Sequence, residues 1–316
     1  MISLIKYCLK VVLPKAKYEC ISRTLGYGIE FYRSQFANEK SLGKASNFIE
    51  RYREIVSDPI NLLIDRVPNA GYLDANRNVI LHNGVKVPID GDNSYYGRFS
   101  DILIINRGVH EPLEEFCFQE LLKHLSKDKE MHTMLELGAY WGHYSLWFSN
   151  KLENTHCTLV EPDKINMQAG KRNFKQNKKE ATFINEFVSS EAFTVDKFFS
   201  KNSGELTLLH SDIQGFEEEM LLNSKKALSE KKIKYLMIST HGENIHENCL
   251  SIIQRHEYIV SLSSEPTHHT TSCDGFIFAH RADCDGIFNQ KEVFGRMEIA
   301  QKTTNEKLSY LSKLQS

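Results

Sequence analysis

The sequence predicts an α/β fold, a mostly parallel sheet with helices on its faces, preceded by a helical and β-hairpin N-terminal region. Three observations predict it. From Thr133 onward, short β-rich runs alternate with segments of helical period, the pattern of strands joined by crossover helices. Before that point the texture differs: helical to about Ile55, then hairpin-like between Ala70 and Arg107. Composition supports a packed core, since 41% of the 316 residues are apolar and 25% charged, which excludes a disordered or fibrous chain. The length passes the ~250 residues at which single cores usually stop growing. The expected division is therefore 1–110 for an N-terminal region making acceptor or oligomer contacts, 111–286 for a ligand-binding α/β domain, and 287–316 for a C-terminal helix.

Charge and cysteine usage narrow the setting. With 39 Lys+Arg against 41 Asp+Glu there is no basic excess, so nucleic acid is not an expected partner. Seven cysteines stand apart without a C-x-x-C pair, which suggests neither a disulfide framework nor a zinc knuckle and fits a reducing compartment. No apolar run reaches the ~18 to 20 residues of a membrane span, and the expected location is cytoplasmic.

The elements follow in order. Ile2, Ile5, Leu9 and Val12 recur at helical spacing with lysines between them, a stripe that either packs on a neighbouring domain or second subunit or lies peripherally on a membrane. Asp58-Pro59 ends the helical N-terminal stretch. Val79 to His82 and Val85 to Ile89 flank Asn83-Gly84, a hairpin with the dipeptide of a type I′ turn. Glu111-Pro112 opens an amphipathic helix through Leu125, its acids Glu114 and Glu115 favourably placed in the first turn. Strands are expected at 133–137, 157–161, 181–188, 205–211, 235–240, 258–262 and 275–279. Helices are expected at 142–152, 164–177, 216–228 and 245–256, with a terminal helix after Gln290.

The run from Met134 to Ser145 places a strand, a glycine-bearing turn and a helix start in succession, where nucleotide ligands bind. A dinucleotide turn needs a glycine two residues after the first, so that the backbone can approach a pyrophosphate. That position here is Tyr140, whose ring obstructs NAD or FAD. S-adenosylmethionine has an adenosine, a sulfonium and an amino-acid end without phosphate, and it suits the turn formed by Gly138, Ala139, Tyr140, Trp141 and Gly142. Glu136 can accept from its ammonium and Glu161, ending the next strand, from its ribose hydroxyls. The competing account is that Gly138 and Gly142 only shape a turn and Glu161 caps the helix near Asp163.

Two further strands end in polar groups at the same edge. Asp212 follows the strand through Ser211 and faces the crevice as a candidate for donor contact and catalysis; its competing role is an N-cap for the helix carrying Phe216. Glu217, Glu218 and Glu219 suit that helix's positive end as solvated acids. His241 ends the strand Leu236 to Thr240 and is the candidate base, because transfer to an alcohol oxygen requires removal of its proton. His210, Asp212, His241, His246, His268, His269 and Asp274 form a His/Asp-rich rim without diagnostic spacing, so a divalent metal stays open. Tyr95, Tyr96 and Arg98, with His210, are candidates for the acceptor side, since rings and a guanidinium suit sugar faces and polar oxygens.

Together these residues resemble the FkbM-type S-adenosylmethionine-dependent methyltransferases. The resemblance runs through Gly108 to Pro112, Leu135 to Ser145, Val160-Glu161-Pro162, Asn185 to Ser189, Thr194 to Phe198, Ser211 to Glu217 with Met220-Leu221, and Thr240-His241, about half of the chain. It implies a Rossmann-like class I methyltransferase sheet of seven strands and O-methylation of a hydroxyl on a carbohydrate, glycolipid or glycosylated metabolite. Glu136 stands where the family more often has Asp, Gln214 where it often has Glu, and Ser239-Thr240-His241 replaces Glu-x-His, which removes one carboxylate from the crevice. Two alternatives stay beside this reading: an RNA methyltransferase using basic stretches such as Lys171 to Lys179, and a donor-binding scaffold without chemistry.

Overall fold

The computed structural model describes residues 48–89, 100–266, 274–288 and 291–315. The N-terminal amphipathic stripe, Tyr95, Tyr96, Arg98, His268 and His269 lie outside them. The chain divides into two units, one within Met1–Ser57 and Asp65–His110 and the other within Asp58–Ile64 and Glu111–Ser316.

In the first unit, helix α1 (Phe48–Ser57) buries Tyr52 and Ile55. Strands β1 (Asn78–Ile80) and β2 (Lys86–Pro88) pair antiparallel with Val79 opposite Val87. The turn between them corrects the type I′ expectation. Gly84 alone is left-handed, at φ 85°, while Asn83 is not; Gly84 N–H donates to Leu81 and the Asn83 carboxamide oxygen accepts from Val85 N–H. A type I turn followed by a left-handed glycine gives a bulged, longer connection rather than a two-residue one. A short helix, α2 (Ile102–Ile105), leads out of the unit.

The second unit opens with α3 (Pro112–Leu125). Strands and helices then alternate: β3 (His132–Leu137), α4 (His143–Lys151), β4 (Thr155–Val160), α5 (Lys164–Gln176), β5 (Thr182–Ile184), α6 (Val195–Lys201) and β6 (Leu206–Ser211). After them come α7 (Glu217–Leu222), α8 (Lys225–Ser229), β7 (Ile233–Thr240), α9 (Glu243–Arg255), β8 (Ile259–Ser264), β9 (Gly275–His280), α10 (Arg296–Gln301) and α11 (Thr304–Gln315). All seven strands expected from the alternation form one sheet in the order β5-β4-β3-β6-β7-β9-β8, parallel except for β9. This is the mostly parallel α/β sheet predicted from the sequence. From β3 the chain winds to β4 and β5 on one side, then crosses to β6 on the other, so the switch point lies between β3 and β6.

Both faces of the sheet are covered, which explains why the central strands read as continuous apolar runs. On one face Leu135, Leu209, Leu236, Ile238 and Ile277 pack with Met220 and Leu221 of α7 and Ile252 and Ile253 of α9. On the other, Phe118 of α3 meets Tyr144 and Trp147 of α4 at ring distances of 5.0 Å each. Burying each such ring contributes about 1.5–3 kcal/mol.

Three boundaries differ from expectation for local reasons. β5 stops at Ile184 because the Asn185 carboxamide leaves the ladder to donate to Glu161 and Pro162 carbonyls, 2.8 Å each. The helix expected over 216–228 is two. Asn223 and Ser224 side chains donate to the Glu219 and Met220 carbonyls, and Asp196 of α6 accepts from Lys226 and Ala227 N–H to start α8 afresh. The terminal helix also divides, where the Thr303 hydroxyl and Glu306 carboxylate each satisfy the other's backbone N–H, a capping box that opens α11. Among the described residues no helix is long and apolar enough to cross a membrane.

Candidate active site

The turn after β3 is built from its own amides. Gly138 and Ala139 N–H donate to Val160 of β4, Tyr140 N–H donates to Glu161 Oε2 at 2.9 Å, and Gly142 N–H donates to Ala139. The start of α4 is served from within as well, because Glu136, at the end of β3, accepts Ser145 N–H at 3.0 Å. A phosphate-binding turn presents free N–H groups and an open helix N-terminus. Here the Gly138, Ala139, Tyr140, Gly142 and Ser145 amides are already engaged, which adds hydrogen bonding to the steric argument against a pyrophosphate cofactor.

The two glycines have different tasks. A Cβ on Gly138 would stand 1.8 Å from the Asp212 carbonyl oxygen, so the turn after β3 and the end of β6 touch backbone to backbone at the switch point. A Cβ on Gly142 would meet Leu159 and Phe174 side chains, so this glycine lets the start of α4 pack closely. Trp141 is likewise buried, its carbonyl accepting from Asn173. Tyr140 is half-buried in the left-handed region, at φ 46°.

Glu161 is buried and hydrogen-bonded by the Tyr140 and Asp163 amides, while Asp163 itself caps α5 through Ile165 and Asn166 N–H. The capping role set against Glu161 thus falls mainly to its neighbour. Burial pushes the Glu136 carboxyl up to about 7 against the hydrogen bonds from Ser145.

Beyond β6, Asp212 does not cap α7. The N-cap of α7 is Phe216, without a side-chain cap; Glu217 instead ties the turn before the helix, taking Ile213 and Gly215 N–H on Oε1. The same oxygen lies 2.9 Å from His241 Nδ1. Glu217, expected among solvated acids, is completely buried, and this corrects the sequence reading. His241 Nε2 is 3.4 Å from Asp212 Oδ1 and 3.5 Å from Asp274 Oδ1. The Gln214 carboxamide nitrogen bridges the pair, 2.9 Å from Asp212 Oδ1 and 2.8 Å from His241 Nε2.

This arrangement separates the protons. Burial works against the His241 imidazolium, but the hydrogen bond to Glu217 and the charges of Asp212, Asp274 and Glu217 outweigh it and raise its pKa to about 9. Burial and the Glu111 carboxylate push Asp212 up to about 7, against the attraction of His241. At neutral pH the histidine holds a proton, and the aspartate stands at the point of accepting one.

The other described rim residues, His210 and His246, do not join this group. His246 is buried, with Thr240 Oγ1 at 2.8 Å and Ser263 Oγ at 2.9 Å on its two nitrogens, and it ties α9 to β7 and β8. His210 is buried under the Tyr144 ring, 4.3 Å between centroids, and desolvation lowers its pKa to about 3. It does not line an open acceptor surface in this structure. Tyr95, Tyr96 and Arg98 are not among the described residues. Of the predicted rim, Asp274 joins Asp212 and His241.

Sequence reasoning missed the acids of α3 as site residues. Glu114 is buried, accepts the Ser239 hydroxyl on Oε2 at 2.8 Å, and is held well above the carboxylate range by burial and then by the Glu111 and Asp212 charges. Glu111 accepts the Tyr144 hydroxyl at 2.9 Å. The signal was present: Glu114 shares a helical stripe with Phe118, Leu121 and Leu125, an acid on an apolar face.

No protein-family model and no curated protein sequence matches the chain. Solved methyltransferases are similar to it in fold. A precorrin-6y C5,15-methyltransferase from Geobacter metallireducens aligns over 52% of this chain and 86% of its own, at 12% identity and a TM-score of 0.38. Magnesium protoporphyrin IX methyltransferase from Synechocystis, with bound S-adenosylmethionine, aligns over 55% and 80%, at 10% identity and a TM-score of 0.40. An S-adenosylmethionine-dependent methyltransferase from Agrobacterium tumefaciens aligns over 55% and 63%, at 15% identity and a TM-score of 0.40. The likeness is one of fold over about half of this chain.

Proposed function

We propose that the chain is an S-adenosylmethionine-dependent O-methyltransferase of the FkbM type, acting on a hydroxyl of a glycan, glycolipid or glycosylated metabolite. The observation that carries this reading is the backbone contact between Gly138 and Asp212, which sets a turn whose Gly138, Ala139, Tyr140 and Gly142 amides are already engaged directly against a carboxylate poised near neutrality. Glu161 suits the ribose and Glu136 the amino-acid end. The bound donor supplies a methyl already activated on sulfur, so the remaining task is to orient an oxygen and take its proton.

That proton goes to Asp212. His241, read from the sequence as the base, is protonated at neutral pH and acts instead as the cation that holds the acceptor oxygen and Asp212 in line, with Glu217 fixing its ring.

The test is incubation of the protein with methyl-labelled S-adenosylmethionine and separate polysaccharide, glycolipid and RNA fractions. Label in a carbohydrate fraction, as an ether stable to alkali, supports the reading. Label in RNA alone, or adenosylhomocysteine binding by calorimetry with no labelled fraction, overturns it in favour of the RNA enzyme or the scaffold.

A further inference from the structure

Gln214 is conspicuous in two ways. It holds a left-handed backbone, φ 53°, which a residue with a Cβ adopts at a cost of about 1–2 kcal/mol. Its side chain is exposed, yet its one nitrogen spends a hydrogen on each of Asp212 Oδ1 and His241 Nε2, at 2.9 and 2.8 Å. The fold thus accepts strain to put an amide between the two groups that handle the proton.

We propose that the Gln214 carboxamide occupies, while the imidazole is neutral, the seat that the acceptor hydroxyl takes during transfer, and that the two are alternative occupants. This rests on the roles of Asp212 and His241 given above. The chemistry of the seat favours exchange. An NH2 group donates twice, so it satisfies Asp212 and His241 together only while the imidazole is neutral and Nε2 offers a lone pair. A hydroxyl donates once and accepts, so it satisfies them together when the imidazole is protonated and Nε2–H donates. The groups that set His241's charge are Glu217, Asp212 and Asp274, all within 3.5 Å of its ring nitrogens. They favour the protonated form, and with it the hydroxyl. In transfer the acceptor oxygen forms its bond to the methyl carbon, the carbon–sulfur pair leaves with sulfur, and the hydroxyl proton passes to Asp212. The exposed glutamine side chain has solvent to swing into.

The test needs no knowledge of the natural acceptor. Diethyl pyrocarbonate acylates unprotonated imidazole nitrogen, and its rate at His241 is read by peptide mass spectrometry on the full chain, with the exposed His156 as internal reference. At a pH where His241 is largely neutral, Gln214→Ala is expected to raise the rate at His241 at least fivefold. Gln214→Glu, of the same length but unable to donate, is expected to pair with the imidazolium and slow it below wild type. Methyl α-D-glucopyranoside, added with adenosylhomocysteine as a hydroxyl probe, is expected to protect His241 in the alanine variant at a concentration at least threefold lower than in wild type. An unchanged rate in Gln214→Ala overturns the bridging role. A faster rate with no protection by the glucoside at any concentration overturns the shared seat. Neither result touches the labelling assay, whose failure counts separately against the enzymatic reading.

Discussion

Replacing Gly138 with alanine tests the contact on which the site is built. The added Cβ would lie 1.8 Å from the Asp212 carbonyl oxygen, 2.8 Å from its carbonyl carbon and 3.1 Å from Ile213 Cγ2, and the first two obstacles are backbone. Relief to an ordinary contact moves one strand end by about 1.6 Å and strains the Asp212 N–H bond to Leu137, 3.0 Å in the native arrangement. The φ of +72° adds about 1 kcal/mol for a residue with a side chain. Overpacking contributes roughly 1–3 kcal/mol and the strained hydrogen bond about 1 kcal/mol, for a total on the order of 3–5 kcal/mol. Gly204→Ala is the control, since Gly204 has a φ of +98° but no atom within 4 Å of its added Cβ, and about 1 kcal/mol is expected there. By calorimetry Gly138→Ala should lose roughly 6–10 °C in Tm and Gly204→Ala about 2 °C. Adenosylhomocysteine binding should fall at least tenfold in the first and stay unchanged in the second. Equal Tm losses in the two variants, with binding intact, would refute the claim that the turn and Asp212 are wedged together.

The remaining predictions concern protons and caps. On whichever fraction accepts label, kcat/KM should rise through about 7 as Asp212 loses its proton and fall through about 9 as His241 loses its own; Asp212→Asn should remove the rising limb and cost about 10²-fold in kcat. Glu136 has a folded pKa of about 7, above its ordinary 4.5, so its stabilising contribution is complete below 4.5 and is lost as pH rises through 7. Glu136→Gln keeps an acceptor for Ser145 N–H without a charge to bury, and should gain on the order of 3 kcal/mol above pH ~7 in urea unfolding; parallel pH dependences of the two proteins would contradict the buried charge. Asp163→Ala removes the cap on Ile165 and Asn166 N–H and should cost about 1 kcal/mol in the same assay.

Most of the sheet was legible because parallel strands covered on both faces leave little choice of residue. Runs such as Leu208-Leu209 and Leu236 to Ile238 are apolar throughout, and their boundaries with polar ends marked the functional edge. The glycine turn, Glu161, Asp212 and His241 followed from that edge. What escaped notice depends on contacts far apart in sequence. The charge on His241 is set by Glu217 and Asp274, the state of Asp212 by Glu111, and the start of α8 by Asp196. Glu217 looked like one of three equivalent acids, and only the path of β7 makes it the buried partner of a histidine 24 residues on. The split in the helix after Phe216 was hidden in the same way, since Asn223 and Ser224 are tolerable in a helix until a neighbour offers a new start.

The insertion of β9 between β7 and β8 has a consequence for how the chain comes off the ribosome. β7 emerges with one edge already matched by β6, but its other edge is completed by Gly275–His280, which is synthesised after α9 and β8. In that interval the run Tyr-Leu-Met-Ile at 235–238 offers unpaired backbone beside apolar side chains, the combination that recruits foreign strands. A nascent chain stalled before Gly275 is therefore expected to be a client for chaperones, whereas a few further residues of synthesis seal the sheet.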